Sequence, residues 1–247
     1  MALSPRGRVR ALKAAVWIAC LLPIAWLAYR YFLGDGLGAN PIEALEHWSG
    51  LTGLTVLLGA LAVTPMRRVT GWNDLQKVRR LTGLFAFFYV CVHFLMYVGL
   101  DQFFGWSYIA EDVMKRRYIF VGTAAFILLI PLAVTSTRGW IRRLGARWVL
   151  LHRSVYLAAG LGVLHFFWKE KADTLRPWYA LTVLLVLFGV RMAYTLRAAL
   201  RDRTPGRQRG AAAEPVTREQ PAVASRAVVG PGAEHPPAER PWLPDRA

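Results

Sequence analysis

The chain has 247 residues, of which 55% are hydrophobic and 13% aromatic, and its mean hydropathy is +0.31. These values exceed those of an ordinary soluble domain and favour a membrane protein. The 31 Lys and Arg against 15 Asp and Glu give a net charge of +16. This charge flanks the apolar segments, as membrane topology and anionic headgroups require, and so does not indicate nucleic-acid binding.

Long apolar segments follow one another along most of the chain. They cover residues 12–33, 49–66, 81–100, 118–137, 148–168 and 178–196, and the second is the shortest. A helix needs about 20 residues to cross roughly 30 Å of hydrocarbon. The segments lack the alternation of strands, so they predict an all-α integral membrane protein, a six-helix transmembrane bundle of antiparallel neighbours.

The two ends of the chain differ from this core. Basic residues precede the first segment, which runs past Cys20 without a small-x-small site, so residues 1–47 are predicted to be a signal-anchor helix and the first outer loop. Residues 48–196 form the predicted core. Residues 197–247, rich in Pro, Ala, Gly and Arg, are predicted to be a disordered cytoplasmic tail. That tail is too short for a flavin or nicotinamide domain, so the electron donor should be a separate molecule.

The charged residues indicate an orientation. Lys and Arg cluster before the first segment and in every second connection, whereas most acidic residues fall in loops 34–47, 101–117 and 169–177. By the positive-inside rule both termini are cytoplasmic, and those three loops face the other side.

Histidines inside apolar segments are the main functional signal. His93, His152 and His165 are costly in hydrocarbon, and neutral imidazole is a common axial ligand of haem. His93 and His165 fall at similar depths towards the outer face, where they could bind one haem. His152 lies about 20 Å deeper and some 140° away from His165 around an ideal helix. A bend at Gly160 and Gly162 would bring the two closer. Alternatively, His152 bonds a carbonyl or reaches the headgroups.

The residues around these histidines resemble the MsrQ (YedZ) family, a branch of the ferric-reductase-like transmembrane domains. The resemblance covers about residues 48–194. It is carried by Thr64-Pro65, Arg67-Arg68, Arg79-Arg80-Leu81-Thr82-Gly83-Leu84, Tyr89, His93-Phe94, Thr135-Ser136-Thr137, Leu144-Gly145, Trp148, Leu151-His152-Arg153 and Tyr156. One departure is Arg117, where the family usually has Pro.

The resemblance implies a function. MsrQ-like proteins are membrane subunits of the bacterial inner membrane that hold haem b and are associated with FMN. They pass electrons from the quinone pool to a periplasmic molybdopterin-dependent methionine sulfoxide reductase, which repairs oxidised periplasmic proteins. This chain would then be the electron-transfer subunit and not the catalytic one.

The cofactor ligands are only partly defined by the resemblance. In the wider ferric-reductase group two helices each supply two histidines, but Arg79 and Arg80 stand where a partner for His152 would be expected. His152 would then need an unusual partner for a second haem, or help to hold the flavin. Arg79, Arg80 and Arg153 could bind haem propionates, because guanidinium suits carboxylates.

Two other functions remain open from the sequence. One is a stand-alone ferric or quinone reductase, which the missing nicotinamide domain disfavours. The other is a membrane transporter or scaffold with histidines in a proton path.

Overall fold

The computed structural model describes residues 4–34, 36–170 and 175–202, and within them every regular element is helical. The helices are α1 (Pro5–Phe32), α2 (Pro41–Thr70), α3 (Arg79–Met96), α4 (Trp106–Lys115), α5 (Arg117–Val134), α6 (Arg138–Leu144), α7 (Ala146–Lys169) and α8 (Arg176–Asp202). Six of them, α1, α2, α3, α5, α7 and α8, are long and apolar enough to cross a membrane. The prediction of six spanning helices is confirmed.

The second segment is longer than predicted. We expected it to be the shortest, but α2 has 30 residues and is the longest helix described. The side chain of Asn40 accepts a hydrogen bond from the Glu43 amide, and Pro41 occupies the first turn. Residues 41–47, which we predicted to be loop, are therefore helical. A capped helix continues through polar residues that a hydropathy pattern assigns to a loop.

Two further predicted boundaries are corrected. The outer loop 101–117 contains α4, and a π-helical turn, Tyr97–Asp101, extends α3 into it. At the other end of the chain α8 continues to Asp202, so residues 197–202, which we predicted to be disordered, are helical. Alanine, leucine and arginine there favour helix after the apolar run has ended. The rest of the predicted tail, 203–247, lies outside the described residues.

The core lies where α2 and α3 pack against α5 and α7. Its buried side chains include Leu54 and Leu57 of α2, Leu129 of α5 and Ala159 of α7. Small residues allow close approach: a Cβ on Gly53 would lie 3.2 Å from Cγ2 of Val90 on α3. Side chains on these four helices therefore face a common interior.

Helix α1 is peripheral and contacts α3. Tyr89 of α3 is fully buried, and its hydroxyl donates to the carbonyl of Cys20 at 2.5 Å. Trp17 meets Phe85 edge to face, with ring centroids 4.8 Å apart. These contacts join α1 to the helix that carries His93.

The two ends of the bundle differ in charge. The acidic end, where α2 begins and α3 and α7 end, carries Glu43, Glu46, Asp101, Glu111, Asp112 and Glu170. The basic end carries Arg67, Arg68, Arg79, Arg80 and the cations of α6. This division follows the predicted loops, and the orientation that it implies stays a prediction.

Candidate metal centre

A cavity of about 860 Å³ opens at the acidic end among α2, α3, α5 and α7. Its volume is within the range of roughly 300–1,000 Å³ typical of cofactor sites. His93 of α3 and His165 of α7 both line it, together with apolar side chains such as Leu54 and Leu129. The sequence predicted that these two histidines lie at similar depth, and the structure brings them together.

The two imidazole rings are positioned in the same way. Nδ1 of His93 lies 3.0 Å from the carbonyl oxygen of Glu46, and Nδ1 of His165 lies 2.7 Å from that of Tyr118. A carbonyl only accepts, so each Nδ1 carries the proton and each Nε2 keeps its lone pair. In histidines that bind metals, the ring nitrogen that does not bind the metal typically donates a hydrogen bond to a group such as a backbone carbonyl.

The spacing of the rings suits one metal ion between them. Their centroids are 6.1 Å apart and their planes are inclined by 70°. An imidazole nitrogen binds a metal at about 2 Å and the ring centre lies about 1 Å beyond it, so two ligands on opposite sides of one ion have centroids about 6 Å apart.

The donor set suits haem better than a bare metal ion. In the described ranges no group of three His, Cys, Asp or Glu side chains could hold a metal ion. A bare ion would therefore lack ligands. Haem iron brings four nitrogen ligands of its own and needs only axial ones from the protein. Two imidazoles that line one largely apolar cavity fit that requirement.

Two glycines make the histidine positions possible, and the sequence analysis did not assign them to the site. A Cβ on Gly122 would lie 2.6 Å from Nδ1 of His165, and a Cβ on Gly50 would lie 3.0 Å from Cε1 of His93. Each glycine follows by four residues the carbonyl that the histidine binds: Glu46 and Gly50 on α2, Tyr118 and Gly122 on α5. The missing side chain opens the path to that carbonyl. The sequence signal for such a glycine is its position on a neighbouring helix at the same membrane depth as the histidine.

Charged groups gather at the cavity mouth. Arg116 and Lys169 line it beside Glu46 and Asp101, and Oε1 of Glu46 is buried with no hydrogen-bond partner. Arg79, Arg80 and Arg153, which we predicted as propionate ligands, are at the basic end and do not line this cavity. For a haem between His93 and His165, the cations at the mouth are Arg116 and Lys169.

His152 is separate from this pair. Helix α7 is one continuous helix from His152 to His165, and His152 does not line the cavity. Its Nδ1 lies 3.1 Å from the Trp148 carbonyl, and its ring stacks on the indole at 3.8 Å. Its Nε2 is buried with no hydrogen-bond partner. The ring also interacts with the backbone of Leu132, so the carbonyl alternative for His152 is retained.

Comparison with known proteins agrees with this architecture. The fold is that of a multi-pass membrane protein, and the model of the ferric reductase like transmembrane component matches residues 47–163. The chain is 52% identical over 201 residues to the protein-methionine-sulfoxide reductase heme-binding subunit MsrQ of Rhodospirillum rubrum, covering 81% of this chain and 96% of the relative. The relative of the same name in Caulobacter vibrioides is 49% identical, with coverage of 71% and 84%. That in Xanthomonas campestris is 44% identical, with coverage of 77% and 89%. This chain belongs to the MsrQ family.

The glycines lead to a graded prediction. Gly122→Ala should displace His165 and abolish most haem binding, whereas Gly50→Ala, with its longer contact, should reduce haem content less. Gly160→Ala is the matched control, because a Cβ there meets nothing within 4 Å. Haem per purified chain and the Soret maximum measure the effect. Equal haem content in all three variants would contradict the role assigned to the glycines.

Proposed function

We propose that this chain binds haem b between His93 and His165 and passes electrons from the quinone pool to a periplasmic molybdopterin-dependent methionine sulfoxide reductase. From its place in the bacterial inner membrane, the chain would thereby support the repair of oxidised periplasmic proteins. The observation that carries the proposal is the pair of imidazoles that line one cavity with ring centroids 6.1 Å apart, each with Nδ1 on a backbone carbonyl. The names of the relatives support haem and the reductase system.

The protein's own residues would hold and tune the cofactor. His93 and His165 would supply nitrogen ligands to the haem iron, and bound haem would supply one-electron chemistry there. The carbonyls of Glu46 and Tyr118 orient the rings and make them more basic. The apolar lining would lower the local dielectric around the cofactor. Arg116 and Lys169 are the cations at the mouth, and Arg116 also pairs with Asp112 at 3.2 Å.

The acidic end would receive the periplasmic partner, because the cavity opens there and electron transfer favours a short path. Near the mouth, α4 and the turn before it expose large apolar side chains: Phe103 (78%), Phe104 (59%), Trp106 (67%) and Met114 (81%). Exposed apolar side chains beside a functional opening are typical of protein or membrane contact. This orientation also places both termini in the cytoplasm.

A second cofactor, FMN, would bind at the basic end. His152 has a buried Nε2 with no partner, and Arg79 lies close enough to act on it electrostatically. Arg153 and Arg79 in turn lie near Arg191, whose guanidinium covers the ring of Tyr156 at 4.6 Å. Guanidinium groups suit a phosphate and an aromatic ring suits a flavin. The phosphate of FMN would thus meet these arginines.

The axial assignment is tested by single substitutions. His93→Ala or His165→Ala should abolish the low-spin haem spectrum, because each removes one of two protein ligands. His152→Ala is the matched control within the same helix as His165 and should keep that spectrum. The measurement is the reduced-minus-oxidised spectrum of each purified variant. A normal haem spectrum in His93→Ala or His165→Ala would refute the assignment.

The flavin proposal is tested separately. His152→Leu, which removes the nitrogen but keeps an apolar side chain, should lower the FMN released from purified protein severalfold while haem content stays the same. His47→Leu, at the opposite end of the bundle, is the control for loss of a histidine. Fluorescence of released flavin measures the outcome. Unchanged flavin in His152→Leu would exclude this site.

The orientation is tested by labelling engineered cysteines in intact spheroplasts. Ser107→Cys on α4 should react with a membrane-impermeant maleimide, whereas Gly139→Cys on α6 should react only after permeabilisation. The native Cys20 and Cys91 lie inside apolar helices and give the background. The reverse pattern of labelling would place the termini outside.

A further inference from the structure

A helix that is too short to cross the membrane lies between two that are long enough. The membrane-crossing segment that contains His93 is Arg79–Asp101, and the next one begins at Arg117. The connection between them contains α4, whose ten residues make a helix about 15 Å long. Both ends of α4 are thus joined by a few residues to the acidic ends of α3 and α5.

Polar contacts hold α4 against those two ends. The Tyr97 hydroxyl donates to Oδ2 of Asp112 at 3.3 Å, and Nε of Arg116 lies 3.2 Å from Oδ1 of the same carboxylate. Tyr97 belongs to the last turn of one crossing segment, and Arg116 directly precedes the other. Ile109, three residues before Asp112, is buried. Helix α4 therefore lies on the bundle at the depth where the crossing segments leave the hydrocarbon.

An exposed apolar face runs along α4 beside the side that meets the bundle. At about 100° per residue, its three members lie within about 80° of one another around the helix axis. They are Trp106, Ala110 and Met114, all of them exposed. This apolar face carries no charge, and the indole N–H of Trp106 is its one polar side-chain group. Such a face is more stable against an apolar surface than in water.

A polar face occupies the rest of the exposed surface of α4. It spans about 100° around the axis and consists of Ser107, Tyr108, Glu111 and Lys115. Lys115 and Glu111 form an ion pair within it. One helix therefore presents two exposed faces that suit different surroundings, because water solvates the polar face but not the apolar one.

Two strained residues lead into α4. Phe103 and Phe104 have φ values of +47° and +59°, which bulky residues rarely adopt. Both rings are largely exposed, so the bundle does little to offset the strain. An apolar environment outside the bundle would favour these rings and would stabilise the turn that presents them.

The position of α4 favours lipid as this environment. The apolar face lies at the ends of the crossing segments, where tryptophan is enriched in membrane proteins. A helix with one apolar and one charged face is typical of segments that lie in the plane of the membrane interface. Phe120, in the first turn of α5, is exposed as well, so the crossing segment next to α4 also presents an apolar side chain to its surroundings.

We propose that α4 is an interfacial helix whose apolar face rests between the lipid headgroups and the upper acyl chains at the acidic end of the bundle. The polar face then meets water. Because Asp112 pairs with Arg116, which lines the mouth of the histidine cavity, lipid contact would also hold that part of the mouth in place. The proposal concerns the fold alone and does not depend on the cofactor or the electron donor.

Fluorescence quenching of the purified full-length chain in lipid nanodiscs tests the proposal. Ala110→Cys and Glu111→Cys, labelled with a thiol-reactive NBD dye, are a matched pair of adjacent residues on different faces. Brominated phosphatidylcholine should quench the Ala110 label severalfold more than the Glu111 label, and aqueous iodide should do the reverse. The unaltered chain, with Cys20 and Cys91, gives the background.

A second adjacent pair repeats the measurement. Met114→Cys and Lys115→Cys lie one turn further along α4 and should show the same contrast. They replace the first pair if Ala110→Cys or Glu111→Cys does not fold.

Two results would overturn the proposal. Strong iodide quenching of the labels on both faces would mean that the apolar face meets water and is free for a protein partner. Strong quenching of both by brominated lipid would mean that α4 has no face towards water. The haem spectrum of the same nanodiscs separates these results from the proposed function. Normal haem with a water-exposed apolar face rejects only the interfacial helix, and the expected contrast without haem rejects only the haem assignment.

Discussion

A buried imidazole must satisfy both of its nitrogens, and this constraint shapes the centre of the bundle. An unpaired polar group in an apolar interior costs several kcal/mol. His93 and His165 each meet half of the requirement with a backbone carbonyl of a neighbouring helix. That contact needs α2 close to α3 and α5 close to α7, which Gly50 and Gly122 permit. The remaining nitrogens face one cavity, where a metal would satisfy them together.

The two halves of the site repeat one arrangement. In each, a histidine near the end of one helix reaches a carbonyl on its partner helix, and a glycine four residues later leaves room for the ring. The pairs α2–α3 and α5–α7 therefore act as matching supports on opposite sides of the cavity. Helices α1 and α8 lie outside this arrangement.

The sequence predicted the parts of this structure that depend on hydropathy and on the free-energy cost of placing histidine in hydrocarbon. Six apolar runs predicted six helices, and the penalty for histidine in hydrocarbon identified His93 and His165. The sequence did not predict the start of α2, because the cap at Asn40 extends the helix through residues 41–47 of the predicted loop. The role of Gly122 also depends on which helices pack together, a property absent from any single segment. Arg79, Arg80 and Arg153, suggested for haem propionates because guanidinium suits carboxylates, do not line the histidine cavity, whose cations are Arg116 and Lys169. Their propionate role stays a prediction.

The central claim is that one haem lies between His93 and His165. Optical and electron paramagnetic resonance spectra of the unaltered purified protein, with haem quantified per chain, test it most directly. The account predicts a b-type spectrum, a low-spin ferric signal typical of two imidazole ligands, and at least one haem per chain. A colourless protein from haem-replete cells, or a purely high-spin signal, would contradict it.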